Sequence, residues 1–245
     1  MKKQGRIACL DELRGLLLIL MAIYHAQWNL QYMFGHPQKW FTDWPGTVLQ
    51  VGTSTAFILL AGACTHFCRD HNKRSLLMIG VAAAVTIVTT VFMYDSRIVF
   101  GILHLMAASQ LLFTLCRPLL KKIPPVVGAA TFAFLFLITY HVPERILGIR
   151  ALGLCVPLPD GWYTNKFLSI FGFLAPGFFS ADYFPIIPFI FAFFCGHFLG
   201  YWLDRIPEAL RRPHCRPLGW MGRHSLIIYL AHQPLILGAM MLIFG

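Results

Sequence analysis

The sequence predicts an all-α integral membrane protein, a bundle of about seven transmembrane helices. Three observations lead there. Hydrophobic residues make up 58% of the chain and charged residues only 12%, about half the charged share of an ordinary soluble domain. Apolar runs recur at roughly the twenty-residue length that a helix needs to cross a bilayer. The basic residues fall unevenly among the segments between those runs, the bias that orients a chain in a membrane. Alternating strand patterns are absent, and the runs are too long for barrel strands.

The first span is read as Leu13–Phe34. Asp11, Glu12 and Arg14 lead into an apolar helix-forming block, Leu16 to Ile23, which His25 and Asn29 then interrupt. The run is too long for a cleavable signal and no small-residue cleavage site follows it. The second span, Thr47–Phe67, comes after a loop carrying Trp40 and Trp44, aromatics typical of the lipid–water interface. The third is Leu76–Tyr94, the fourth Ile98–Cys116 and the fifth, shorter, Val126–Tyr140. The connection Val142–Asp182 is long. Its apolar piece FLSIFGFLAPGFF holds Gly172, Pro176 and Gly177, which break a straight helix. It reads as a re-entrant or interfacial segment, with an eighth span as the alternative. The sixth span is Tyr183–Leu203, with Asp182 as a candidate N-cap, and the seventh is Ser225–Phe244. No linker or internal repeat divides the chain, so residues 1–245 read as a single transmembrane domain.

Charge sets the orientation. With the N-terminus cytoplasmic, the inner segments hold Lys2, Lys3, Arg6, Arg69, Lys73, Arg74, Arg117, Lys121, Lys122 and five arginines from Arg205 to Arg223. The outer side holds Lys39, Arg97, Arg145, Arg150 and Lys166. That bias puts the C-terminus outside. The net charge of +10 does not imply nucleic acid, because the cations sit in short loops rather than along one face. Cys64 and Cys68 share a helical face without a second ligand pair, so they read as small apolar residues and no metal is expected.

The polar residues inside the spans are the functional candidates. Arg14 and His25 are eleven residues apart, offset by about 20° around a helix axis and about 16 Å along it. They lie on one face at two depths. Lipid does not tolerate such groups cheaply, so that face looks into protein or a watery cavity; a snorkelling Arg14 and a core His25 are the plain alternative. His104 opens the fourth span, His197 lies in the sixth, and His232 and Gln233 precede Pro234 in the seventh. His104 reads as a substrate contact or a helix-packing donor. His232 reads as a site residue or as a partner for carbonyls freed near Pro234. His25, His104, His232 and Asp182 are expected to converge on one cavity. His66, His71, His214 and His224 read as interfacial residues.

The string RIACLDELRGLLLILMAIYHAQWNL resembles the first helix of the heparan-α-glucosaminide N-acetyltransferase catalytic-domain family. The resemblance continues in FILLAGACTHF, FGILHLMAASQLL, SADYFPIIPFIFAFFCGHFLG and GRHSLIIYLAHQPLI. It covers most of the chain, which is similar to the short bacterial members. The Arg14–His25 spacing also resembles the membrane acyltransferases that decorate surface glycans. The resemblance implies an acyltransferase that moves an acetyl group from cytoplasmic acetyl-CoA to an amine or hydroxyl of a sugar-like acceptor outside. It implies a multi-pass protein of the bacterial cytoplasmic membrane, with bilayer, acyl-CoA and a glycan or small acceptor as partners and a homo-oligomer left open. The lysosomal enzyme has an asparagine where this chain has His25, and its histidine falls near His36. Both His25 and His36 are therefore candidate bases, with His25 favoured, and Asp182 a third catalytic candidate that could orient a histidine or bind a sugar amine. Arg14, with Lys2, Lys3 and Arg6, is assigned to the cofactor's phosphates, and Asp11 is a further cofactor-binding candidate. Asn29, His104, His232 and Gln233 are assigned to substrate. Direct transfer and an acyl-histidine both fit. A transporter or flippase using the same cavity without chemistry is the rival reading, and a haem protein a distant third.

Overall fold

The structure, a computed structural model, describes residues 7–244. Lys2, Lys3 and Arg6 lie outside the described residues. The main helices are α1 (Ala8–Tyr32), α2 (Trp44–Ala63), α3 (His71–Phe92), α4 (Ile102–Leu120), α5 (Pro125–Thr139), α6 (Ile186–Leu199), α7 (Arg216–Arg223) and α8 (Ser225–Phe244). With their terminal turns, six are long and apolar enough to cross a membrane: Trp44–Phe67, His71–Phe92, Ile102–Leu120, Pro125–Glu144, Ile186–Arg205 and Ser225–Phe244. The protein is an all-α membrane protein. Outward apolar side chains such as Phe92, Leu235, Leu242 and Ile243 are exposed, as suits hydrocarbon. Helix α1 is as long as these but differs in character. Asp11, Glu12 and Arg14 occupy one end and His25, Gln27, Asn29 and Gln31 the other.

The chain forms two compact units. One comprises the chain up to Leu60 together with the chain from Trp202, and the other is Ala61–Tyr201. In the first, α1 packs on α7 and on α8. The α1–α7 crossing is made by glycines. A Cβ on Gly15 would stand 2.2 Å from the Leu218 carbonyl oxygen, and one on Gly222 would stand 1.8 Å from that of Asp11. No residue larger than glycine fits between two backbones so close. Glu12 holds the same crossing. Its Oε1 accepts the amide of His214 at 2.6 Å and that of Cys215 at 2.7 Å. These donors lie at the start of α7, where a carboxylate also meets the positive end of the helix.

In the second unit α3 packs on α4, and α5 on α6. Asp70 caps α3 by accepting the Lys73 amide at 2.9 Å, and Pro125 opens α5 at the first position, where its missing N–H costs nothing. Phe113, Phe193 and Phe198 are fully buried, and Phe132 stacks on Phe198 with ring centroids 5.7 Å apart. The stretch from Val142 to Pro185 contains no spanning helix. The piece read as a possible eighth span makes only a turn at Leu168–Phe171 before Gly172 turns the chain at φ 112°. A hairpin of β1 (Ile146–Ile149) and β2 (Leu154–Pro157) precedes it. Each strand is four residues, too short to leave a period in the sequence. Arg145 pairs with Asp160 at 2.7 Å, and Tyr163 donates to the Val142 carbonyl at 2.5 Å.

The expected start of the sixth span is corrected. Regular helix does not begin at Tyr183. Ile187 is extended (φ −92°, ψ 124°) ahead of Pro188, because a residue before proline is pushed out of the helical region. Asp182 therefore does not cap α6. Its Oδ2 instead accepts the Ile102 amide at 3.1 Å and caps α4.

Candidate functional site

Along α1, Asp11, Gly15, Leu18, His25 and Asn29 follow one another at intervals of three, four or seven residues, which puts them on one face. Asp11, Gly15, Leu18 and Asn29 are buried and His25 half-buried. At one end Arg14 donates to Asp11 Oδ1 at 3.1 Å. The ion pair keeps the guanidinium on the protein side, and only about a fifth of its side chain is exposed. The two residues assigned to the cofactor thus form one unit, fixed against α7 by the glycine crossing and by Glu12.

At the other end α8 supplies the partners. The rings of His25 and His232 lie with centroids 4.9 Å apart, tilted by 55°. His232 Nδ1 donates to the Tyr229 carbonyl, which fixes the neutral tautomer with Nε2 as the basic nitrogen. One turn from His25, Asn29 is fully buried, and its Oδ1 accepts the Gln233 amide at 3.0 Å. Asn29 Nδ2 and Gln233 Oε1 are themselves buried without a hydrogen-bond partner among the described residues. Such groups each cost free energy when left unpaired. His36 lies beyond the end of α1. It is exposed, with its ring 5.4 Å from that of Phe244.

The other two candidates belong to the second unit. His104 Nδ1 accepts the Gly101 amide at 3.2 Å, and its Nε2 donates to Thr86 Oγ1 at 2.8 Å, which passes the bond to the Ile98 carbonyl. Asp182 caps the same helix end one residue on. Both side chains thus secure the start of α4. So the structure brings together His25, Asn29, His232 and Gln233 in one unit, and His104 and Asp182 in the other.

Comparison with protein-family models matches residues 6–234 to the heparan-alpha-glucosaminide N-acetyltransferase catalytic family. The chain belongs to that family. Neither the curated proteins nor the solved structures give a match. The family is one of membrane acetyltransferases, with acetyl-CoA as the general donor. The matched range ends just beyond Gln233, so it contains every candidate residue of this N-acetyltransferase relative except Lys2 and Lys3.

Three features of this acetyltransferase-family chain escape sequence reasoning. Glu12 reads as one more juxtamembrane charge, and nothing local announces that it caps a helix some two hundred residues away. His66 reads as interfacial, yet its ring stacks on His197 at 4.7 Å and 11°, while His197 Nδ1 meets Thr65 Oγ1 at 2.7 Å. His71, also read as interfacial, is buried and bonded to Gln110 at 3.2 Å. Among the described residues no group of three or more His, Cys, Asp or Glu could hold a metal ion.

Proposed function

We propose that the protein transfers an acetyl group from acetyl-CoA to an amine or hydroxyl of a sugar-like acceptor, with the chemistry at the His25 end of α1. The observation that carries this reading is the cluster of His25, His232, Asn29 and Gln233, two imidazoles beside an amide pair with unused hydrogen-bonding capacity. The acceptor heteroatom attacks the thioester carbonyl and His25 takes its proton. Asn29 Nδ2 is the donor for the oxyanion that forms. When the carbon–sulfur bond breaks, CoA leaves as the thiolate and is reprotonated. Arg14, held by Asp11, binds the cofactor's phosphates. His36 is the second candidate base. Asp182 and His104 keep their assignments as catalytic and substrate residues on sequence position alone.

The same reading takes residues 1–245 as one transmembrane domain with seven spans, α1 included. It places the N-terminus in the cytoplasm, the C-terminus outside and the protein in a bacterial cytoplasmic membrane. Positive charge on the loops supports that orientation. The test is His25→Ala in purified protein. Transfer of label from acetyl-CoA to an amino-sugar acceptor should be abolished, with membrane insertion intact. Retained turnover removes His25 and passes the role to His36, for which His36→Ala is the matching measurement.

A further inference from the structure

The amide pair carries a more specific reading than general substrate contact. Asn29 and Gln233 can each offer a donor and an acceptor. One donor and one acceptor are consumed in their mutual bond at 3.0 Å. Asn29 Nδ2 and Gln233 Oε1 remain, both buried and without a partner among the described residues. Turning both amides over keeps the bond and only swaps which residue presents which group. Either way the pair shows a ligand one NH2 group and one carbonyl oxygen.

We propose that this pair is a binding site for a secondary amide, –CO–NH–, and selects it over the corresponding ester. An amide's carbonyl satisfies the protein N–H, and its N–H satisfies the protein carbonyl. An ester of the same shape satisfies the first and leaves the second buried and unpaired, and that mismatch is what a polar site punishes most. The proposal rests on the transferase reading above, which supplies two sources of such an amide. One is the acetamido group of an N-acetylated product. The other is the pantetheine arm of the cofactor, which is itself built of secondary amides. The chemistry recognised is the same in both.

The test uses the full chain in lipid nanodiscs and three probes: N-acetylglucosamine, its ester counterpart 2-O-acetylglucose, and pantetheine. The wild type should bind the amide sugar, pantetheine, or both about tenfold or more tightly than the ester, the size of one unpaired buried group. Gln233→Met keeps the volume and leaves Asn29 as the only amide of the pair, so the preference for amide over ester should shrink. The double variant Asn29→Leu with Gln233→Met removes both unpaired groups. It should lose discrimination and keep the wild-type melting temperature, since replacing both partners by apolar groups is close to neutral. A pair needed only for helix packing would instead lower it. Loss confined to the sugar assigns the pair to the product, and loss confined to pantetheine assigns it to the donor. Equal binding of all three probes by the wild type, or affinities unchanged in both variants, overturns the proposal. Acetyl transfer is scored separately in the wild type. Transfer without amide selectivity sinks the amide site alone, and amide selectivity without transfer sinks the transferase reading alone.

Discussion

Gly222→Ala is the sharpest test of how the Arg14 end of α1 is held. The new Cβ would lie 1.8 Å from the Asp11 carbonyl oxygen and 2.9 Å from the Asp11 Cα. Both are backbone atoms, so no side chain can swing aside. Helix α7 must back away by roughly 1.5 Å to restore an ordinary contact. Overpacking of this kind costs about 1–3 kcal/mol. The upper end applies here, because the same movement stretches the Glu12 bonds to the His214 and Cys215 amides. For a domain of this size that is a fall of about 5–10 °C in melting temperature, readable by thermal unfolding in nanodiscs. Gly15→Ala meets the Leu218 carbonyl at 2.2 Å across the same crossing. Once α7 has moved for one methyl, the second costs less, so the double variant should fall short of the sum by a measurable coupling energy. The substituted glycines lie beside Asp11 and Arg14 rather than His25. In turnover, therefore, the KM for acetyl-CoA should rise more than kcat falls. Unchanged stability in Gly222→Ala, or strictly additive losses, would refute the close crossing.

Arg14→Ala should weaken acetyl-CoA binding by about tenfold or more, the worth of a charge-assisted bond, as measured by calorimetry on the purified protein; unchanged affinity contradicts the role. Asp182→Asn keeps an acceptor for the Ile102 amide, so stability should barely move, whereas Asp182→Ala should lose about 1 kcal/mol of helix capping. A catalytic Asp182 would show as turnover lost in the Asn variant at near wild-type melting temperature. Tyr163→Phe removes the donor to the Val142 carbonyl and should cost about 1 kcal/mol. Burial raises the Tyr163 phenol above its ordinary value, so the fold prefers the protonated form. Its contribution is whole below the unfolded value of about 10 and is lost as pH climbs beyond it. Alkaline unfolding should therefore be shallower in the Phe variant, though not flat, since burial raises Tyr183 as well.

Much of this was legible in the sequence because lipid imposes a simple code. Long apolar runs gave α2 to α6 and α8 with small errors at their ends, and the fifth span, read as Val126–Tyr140, is helical over Pro125–Thr139. Pairings between distant residues were less legible. Asp182 reads as a candidate cap of the helix that follows it, and the structure overturns that; only the fold brings it to Ile102, eighty positions earlier. The hairpin at Ile146–Pro157 was missed because four-residue strands carry no usable period. His71 was misread because its position beside loop cations suggested the interface, while its ring turns inward to Gln110. Polar residue types within or beside the apolar runs single out His25, Asn29, His232 and Gln233 together with His104 and Asp182. Their pairing, and the capacity left over from it, required the structure.

A polar stripe on α1 cannot face hydrocarbon along its length, so something must cover it. The partners come from one continuous stretch near the end of the chain. From His214 to Gly222, α7 and the residues just before it meet Asp11, Glu12 and Gly15. From Tyr229 to Gln233, α8 meets His25 and Asn29. Pro234 follows at once and frees a backbone carbonyl one turn earlier, near the place where His232 turns its Nδ1 to the carbonyl of Tyr229. An apolar α8 of the same length would cover the stripe without offering hydrogen-bonding groups to Asn29.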